Sequence, residues 1–129
     1  MTQQDFQQLA LERLADSQAL LAAGRWGGAY YLAGYSVECA LKACIAKKTQ
    51  QGDFPSKDAP KFYTHNLVEL LSHCGLGKPI GRESEWAIVR DWNEQSRYDP
   101  PKSQQDAKDI IVAITDQQKG ILSWLQTQW

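Results

Sequence analysis

The sequence predicts an all-α protein, an up-and-down bundle of four principal helices with one additional short helix. Three observations predict it. Apolar residues recur at spacings of three and four over long stretches, the period of a helix face turned toward a core. All five prolines fall between those stretches. No stretch alternates apolar and polar residues as a half-buried strand would. At 129 residues with a formal charge of −1, the chain reads as a single helical domain over residues 1–129, long enough to bury one core.

The first helix is expected from about Gln3 to Ala23. Thr2 followed by Asp5 makes a capping box, and Phe6, Leu9, Ala10, Leu14 and Leu21 supply the apolar stripe. Gly24 stops it. The connection to the next helix is so short that the two must be antiparallel neighbours. That next helix, Trp26 to Lys48, organises the chain. Trp26, Tyr30, Ala33, Val37, Leu41 and Cys44 form a core-facing stripe, and Tyr31, Tyr35, Glu38 and Lys42 form a second one that carries phenols and charges. Ala29, Ala33, Gly34, Ala40 and Ala43 let neighbours approach closely, so this is the expected central helix.

From Thr49 to Tyr63 two prolines, a glycine and the lack of any period predict a long loop, a length often tied to function. Thr64 is placed to cap a short helix, HNLVELLSHC, which Gly75 and Gly77 end. A fourth helix is expected from about Glu83 to Ser96, with Ile88, Val89 and Trp92 inward, closed off by Pro100 and Pro101. Ser103, with Asp106 three residues on, caps a last helix that carries Ala107, Ile111, Ile114, Ile121 and Leu125 to near Trp129.

Composition narrows the function classes. Near-zero net charge argues against a generally DNA-coating protein and leaves room for local basic patches. No apolar run reaches the ~18 residues that span a bilayer, and the N-terminus has no leader character, so no membrane association is expected. Cys39, Cys44 and Cys74 lack ligand spacing and read as reduced, buried thiols of a cytoplasmic protein. Neither metal nor cofactor is expected. A Gly-rich phosphate loop, GxSxG and HExxH are all absent from the sequence.

Three constellations stand out. Glu38 and Lys42 have the i,i+4 order of a helix ion pair. With Tyr31 and Tyr35 they read either as a solvated pair beside amphipathic phenols or as the polar wall of a cleft or dimer seam. On the fourth helix Arg82, Trp86, Arg90, Asn93 and Arg97 fall within about 80° of one another. Guanidinium forks flanking an indole suit phosphate and base contacts, the alternative being a solvated arginine face. The third is SRYDPP, where Arg97, Tyr98 and Asp99 precede a proline-locked turn. There Arg97 would bond the helix's last carbonyls, pair with Asp99 or meet a ligand.

Taken in order, AYYLAGYSVECALKACIA, THNLVELL and the RYD turn resemble the HEPN family (higher eukaryotes and prokaryotes nucleotide-binding), over about Leu9 to Leu125. The resemblance implies an all-α bundle, commonly a homodimer packed around the central pair of helices, and a link to nucleotides or RNA. Some members are metal-independent RNases, often toxins of toxin–antitoxin or defence systems, and others are partners of small nucleotidyltransferases or binding modules. The RNase members carry an arginine followed, after four to six residues, by a histidine. Arg97 matches the arginine. The histidine would fall at Lys102, Ser103 or Gln104, and no histidine follows His73. Metal-free RNA cleavage needs groups that give and take protons near neutrality, and arginine stays protonated. The expectation is therefore a binding module, with Arg97, Glu38 and Tyr35 facing a common groove at a two-fold interface. The alternative is an RNase in which Arg97 works with His65, Glu38 or Tyr98.

Overall fold

The computed structural model describes residues 1–49, 51–97 and 101–129, position 97 by its backbone alone. Helix α1 spans Gln3–Ala22 and α2 spans Trp26–Lys47, joined by a turn at Gly24 with φ 76°. The capping box at the start of α1 is formed. Asp5 N–H donates to Thr2 Oγ1 at 3.1 Å, and Thr2 N–H donates to Asp5 Oδ2 at 2.9 Å. The two helices lie against each other, and the buried Ser17 hydroxyl of α1 donates to the Ala29 carbonyl of α2 at 2.7 Å. A polar group at such a contact needs this partner, because burial without one costs about 1–3 kcal/mol.

After α2 come a single 3-10 turn at Pro60–Phe62, α3 at Leu67–Cys74, α4 at Glu83–Arg90 and a second 3-10 turn at Glu94–Arg97. The chain ends with α5 at Gln104–Thr115 and α6 at Ile121–Gln126. Among the described residues there is no strand, only an isolated bridge between Thr2 and Asp53. No helix there is long and apolar enough to cross a membrane. The protein is an all-α bundle built around α2, which packs on α1, α3, α5, α6 and the second 3-10 turn. Val37 and Leu41 of α2, Leu67 and Leu70 of α3, Ile110 and Ile114 of α5, and Ile121 and Leu125 of α6 fill the core.

Four details differ from the sequence reading. The fourth helix stops at Arg90 rather than Ser96, because Trp92 turns into the core while Asn93 Oδ1 accepts the Gln95 N–H at 2.8 Å and closes a tight turn. Ile88, expected inward with Val89 and Trp92, is 42% exposed. The last helix is two helices. Asp116 Oδ1 accepts the Gln118 and Lys119 N–H groups, and Gly120 lies so close to the Asp116 and Ile114 carbonyls that a Cβ would come within 3.0 Å of them. The cap of α3 is Asn66, which accepts the Glu69 N–H at 3.0 Å, while Thr64 closes the preceding turn onto the Asn66 N–H.

The long loop is tied down rather than free. Gln3 N–H donates to the Gly52 carbonyl and Phe54 N–H to the Met1 carbonyl, at 2.8 and 2.9 Å. Phe54 anchors it, with its ring centroid 5.4 Å from Phe6 and 5.3 Å from Tyr63.

Candidate functional site

The polar stripe of α2 is covered by other elements. Gly34 leaves no side chain between α2 and Trp92, and the indole lies directly on the helix backbone. There Trp92 Nε1 donates to the Tyr31 carbonyl at 3.1 Å, and its ring lies 5.8 Å from that of Tyr31. Two turns further along, the Lys42 ammonium sits 5.7 Å over the Phe54 ring. Between these two covers lies Glu38.

Glu38 is 2% exposed and Lys42 13%. The solvated ion pair expected from i,i+4 spacing is therefore a buried one, with Lys42 Nζ donating to Glu38 Oε2 at 3.2 Å. The other carboxylate oxygen meets His65 Nδ1 at 3.0 Å. His65 stands just before the Asn66 cap of α3 with its side chain 48% exposed, and its Nε2 lies 3.3 Å from Glu94 Oε2 in the second 3-10 turn. A buried carboxylate is tolerated only when its oxygens are filled, and here a cation and a ring nitrogen fill them. Both ring nitrogens face carboxylates, so the ring donates through both only when it carries two protons.

This environment shifts its neighbours. Burial, and then the charge of Glu38, pushes the Cys39 thiol up to about 12. Burial raises the Tyr35 phenol above its ordinary value, with the Cys39 and Glu38 charges adding to it. Tyr31 and Tyr35, both half-buried, stack with centroids 6.3 Å apart. A polar hollow of about 220 Å³ opens at His65, lined by Thr64, Asn66, Trp92, Asn93 and Glu94. Asn66 and Asn93 use Oδ1 in their own turns, which leaves their amide NH₂ groups to donate.

Tyr31, Tyr35, Glu38 and Lys42 thus share one face of α2, and His65 and Glu94 join it. The arginine–tryptophan face is divided. Arg82 Nη1 donates to the Gly120 carbonyl at 3.1 Å, and its guanidinium lies 5.6 Å over Trp124, so it braces α4 against α6. Trp86 is buried, and Arg90 is exposed at the edge of a different groove. Arg97 ends the turn that carries Glu94. Its side chain, and Tyr98 and Asp99 entirely, lie outside the described residues. Lys102, one of the three positions at which the resemblance would put a histidine, places its ammonium 4.6 Å over the Tyr30 ring.

Sequence reasoning did not single out Glu94 and did not join His65 to Glu38. The one available signal was Gly34 at the head of the polar stripe, since a glycine inside a helix marks a close approach. Cys39, Cys44 and Cys74 are free and buried. Among the described residues no group of three or more His, Cys, Asp or Glu is arranged to hold a metal ion.

The HEPN domain family model matches residues 4–124, nearly the whole chain. Neither the curated proteins nor the solved structures yield a match.

Proposed function

The chain belongs to the HEPN domain family, and we propose that within it the protein is a cytoplasmic RNA- or nucleotide-binding module that grips its ligand without cutting it. The observation that carries this reading is the buried Glu38, which holds the half-exposed imidazole of His65 at the mouth of a polar hollow beside the turn that bears Arg97. The amide donors there suit phosphate oxygens and base edges, and Arg97 is the residue of that turn whose chemistry would suit phosphate. The Arg97 segment lacks the histidine that cleavage would use. In this reading the protein acts as a homodimer and as the helical partner of a small nucleotidyltransferase, whose catalytic carboxylates come from another chain.

A second reading has one specific observation in its favour. With Nδ1 held on Glu38 at 3.0 Å, His65 is oriented as an acid–base imidazole. Once substrate displaced Glu94 from it, His65 Nε2 would take the proton of an RNA 2′-hydroxyl as that oxygen attacks phosphorus, and Arg97 would stabilise the charge that builds up. The P–O5′ bond would break as the 5′-oxygen takes a proton from water, leaving a 2′,3′-cyclic phosphate and a 5′-hydroxyl, with the 2′-hydroxyl proton on His65. This is the toxin-like metal-independent RNase, with an antitoxin as its partner.

Labelled RNA and nucleotides incubated with the protein and with its Arg97→Ala and His65→Ala variants separate the two. Saturable binding without cleavage, weakened in both variants, supports the binding module. Cleavage that disappears in both variants defeats it and establishes the second reading.

A further inference from the structure

A second concavity lies on the opposite side of α4 from α5, between α3 and α4, with a volume of about 570 Å³. It shares no lining residue with the polar hollow at His65. Its size falls in the range of small-molecule sites, roughly 300–1,000 Å³. Leu71, Trp86 and Pro79, all largely buried, form its apolar walls, and Val68, 45% exposed, forms its lip.

Two cations stand on the rim, Lys78 from the turn before α4 and Arg90 from its last turn. Among the described residues neither pairs with a carboxylate. The Gly81 N–H donates to Glu83 Oε1 at 2.9 Å and holds that carboxyl below its usual value, so the rim carries one anion against two cations. Ser72 turns its hydroxyl back onto the Glu69 carbonyl at 2.6 Å, so it is not directed at a ligand. Such walls supply burial and charge and little that reads a base edge.

We propose that the α3–α4 groove binds a small amphiphilic anion, an apolar aryl or acyl body without a sugar, bearing one carboxylate or sulfonate. The body covers Val68 and lies along Trp86, and the head meets Arg90 or Lys78. Burying an apolar body in such a groove is favourable in proportion to the apolar area it takes out of water. An unpaired guanidinium or ammonium at the rim then selects a negative head over a neutral one. This site goes beyond the nucleic-acid reading, and its fate is independent of that reading.

The intact chain is titrated with 8-anilinonaphthalene-1-sulfonate, followed by fluorescence and by amide shifts in heteronuclear NMR. The expected result is saturable one-to-one binding, with shifts centred on Val68, Trp86 and Ala87, and displacement by decanoate. The Lys78→Ala/Arg90→Ala double variant, with unchanged far-ultraviolet circular dichroism, should bind about tenfold more weakly or worse. Ala87→Trp, which fills the groove from an exposed position, should abolish binding. No saturable binding, shifts centred elsewhere, or unchanged affinity in the double variant would overturn the proposal. Displacement by AMP but not by decanoate would overturn the ligand class.

Discussion

Gly34→Ala puts the packing of the site to a quantitative test. An alanine in the middle of a helix gains about 1 kcal/mol over glycine, so propensity alone predicts stabilisation. At Gly34 the new Cβ would lie under 3.0 Å from three atoms of the Trp92 ring, closer than real Cβ atoms come. The ring must move away from α2. Overpacking of this kind costs about 1–3 kcal/mol. Displacing Trp92 also removes its bond to the Tyr31 carbonyl, worth about 1 kcal/mol, and part of its burial. The net expectation is a loss of about 2–3 kcal/mol, roughly 6–12 °C in Tm for a domain of this size. Urea titration and thermal melts measure it, and the Trp92 indole N–H resonance reports whether its bond survives. Gly27→Ala is the internal control. A Cβ there meets nothing within 4 Å and Gly27 lies in the first turn of α2, so that variant should be at least as stable as the parent. The turn carrying Glu94 follows Trp92, so Gly34→Ala should also weaken RNA or nucleotide binding. A Gly34→Ala protein as stable as the parent, with the indole signal unmoved, would refute the close contact.

Four further outcomes follow from the structure. Glu38→Ala leaves Lys42 largely buried without its partner and should cost about 3 kcal/mol in urea unfolding, and unchanged stability would show that the carboxylate holds nothing. Ser103→Ala removes the acceptor for the Asp106 N–H and should cost about 1 kcal/mol. In the same cap the Ser103 backbone N–H holds the Asp106 carboxyl below the usual 3.8, as Thr2 does for Asp5. Carboxyls lowered on folding stabilise the protein above the unfolded value. That contribution is lost as pH falls through the folded values, and Asp106→Asn should flatten this part of an acid titration of stability. Cys39, with its thiol raised to about 12 and its side chain buried, should resist iodoacetamide at pH 8 in the native state. Labelling there faster than global unfolding would contradict its placement.

The helical class and the principal boundaries were legible because their signals are local. The Thr2–Asp5 and Ser103–Asp106 boxes form as their spacing requires, and the span of α2 agrees to within a residue. The break between α5 and α6 was hidden because the apolar stripe continues through it. Ile114 and Ile121 both reach the core, and only Asp116 and Gly120 betray the turn. The candidate site was half legible. Periodicity placed Tyr31, Tyr35, Glu38 and Lys42 on one face, but whether water or protein covers that face depends on Trp92 and on Phe54, which are far away in sequence. The same distance hid the pairing of His65 with Glu38, across 27 positions.

The way α4 is held has a mechanical consequence. Arg82 fastens its leading end to the Gly120 carbonyl, and Trp92, just beyond its trailing end, is fastened to the Tyr31 carbonyl. A beam pinned at both ends cannot tilt at one without loading the other. An occupant that draws on Arg90 therefore pulls two residues from the indole that seats the neighbouring turn. By linkage, whatever strain such an occupant puts on that indole is matched by an equal effect of Trp92's neighbours on the groove.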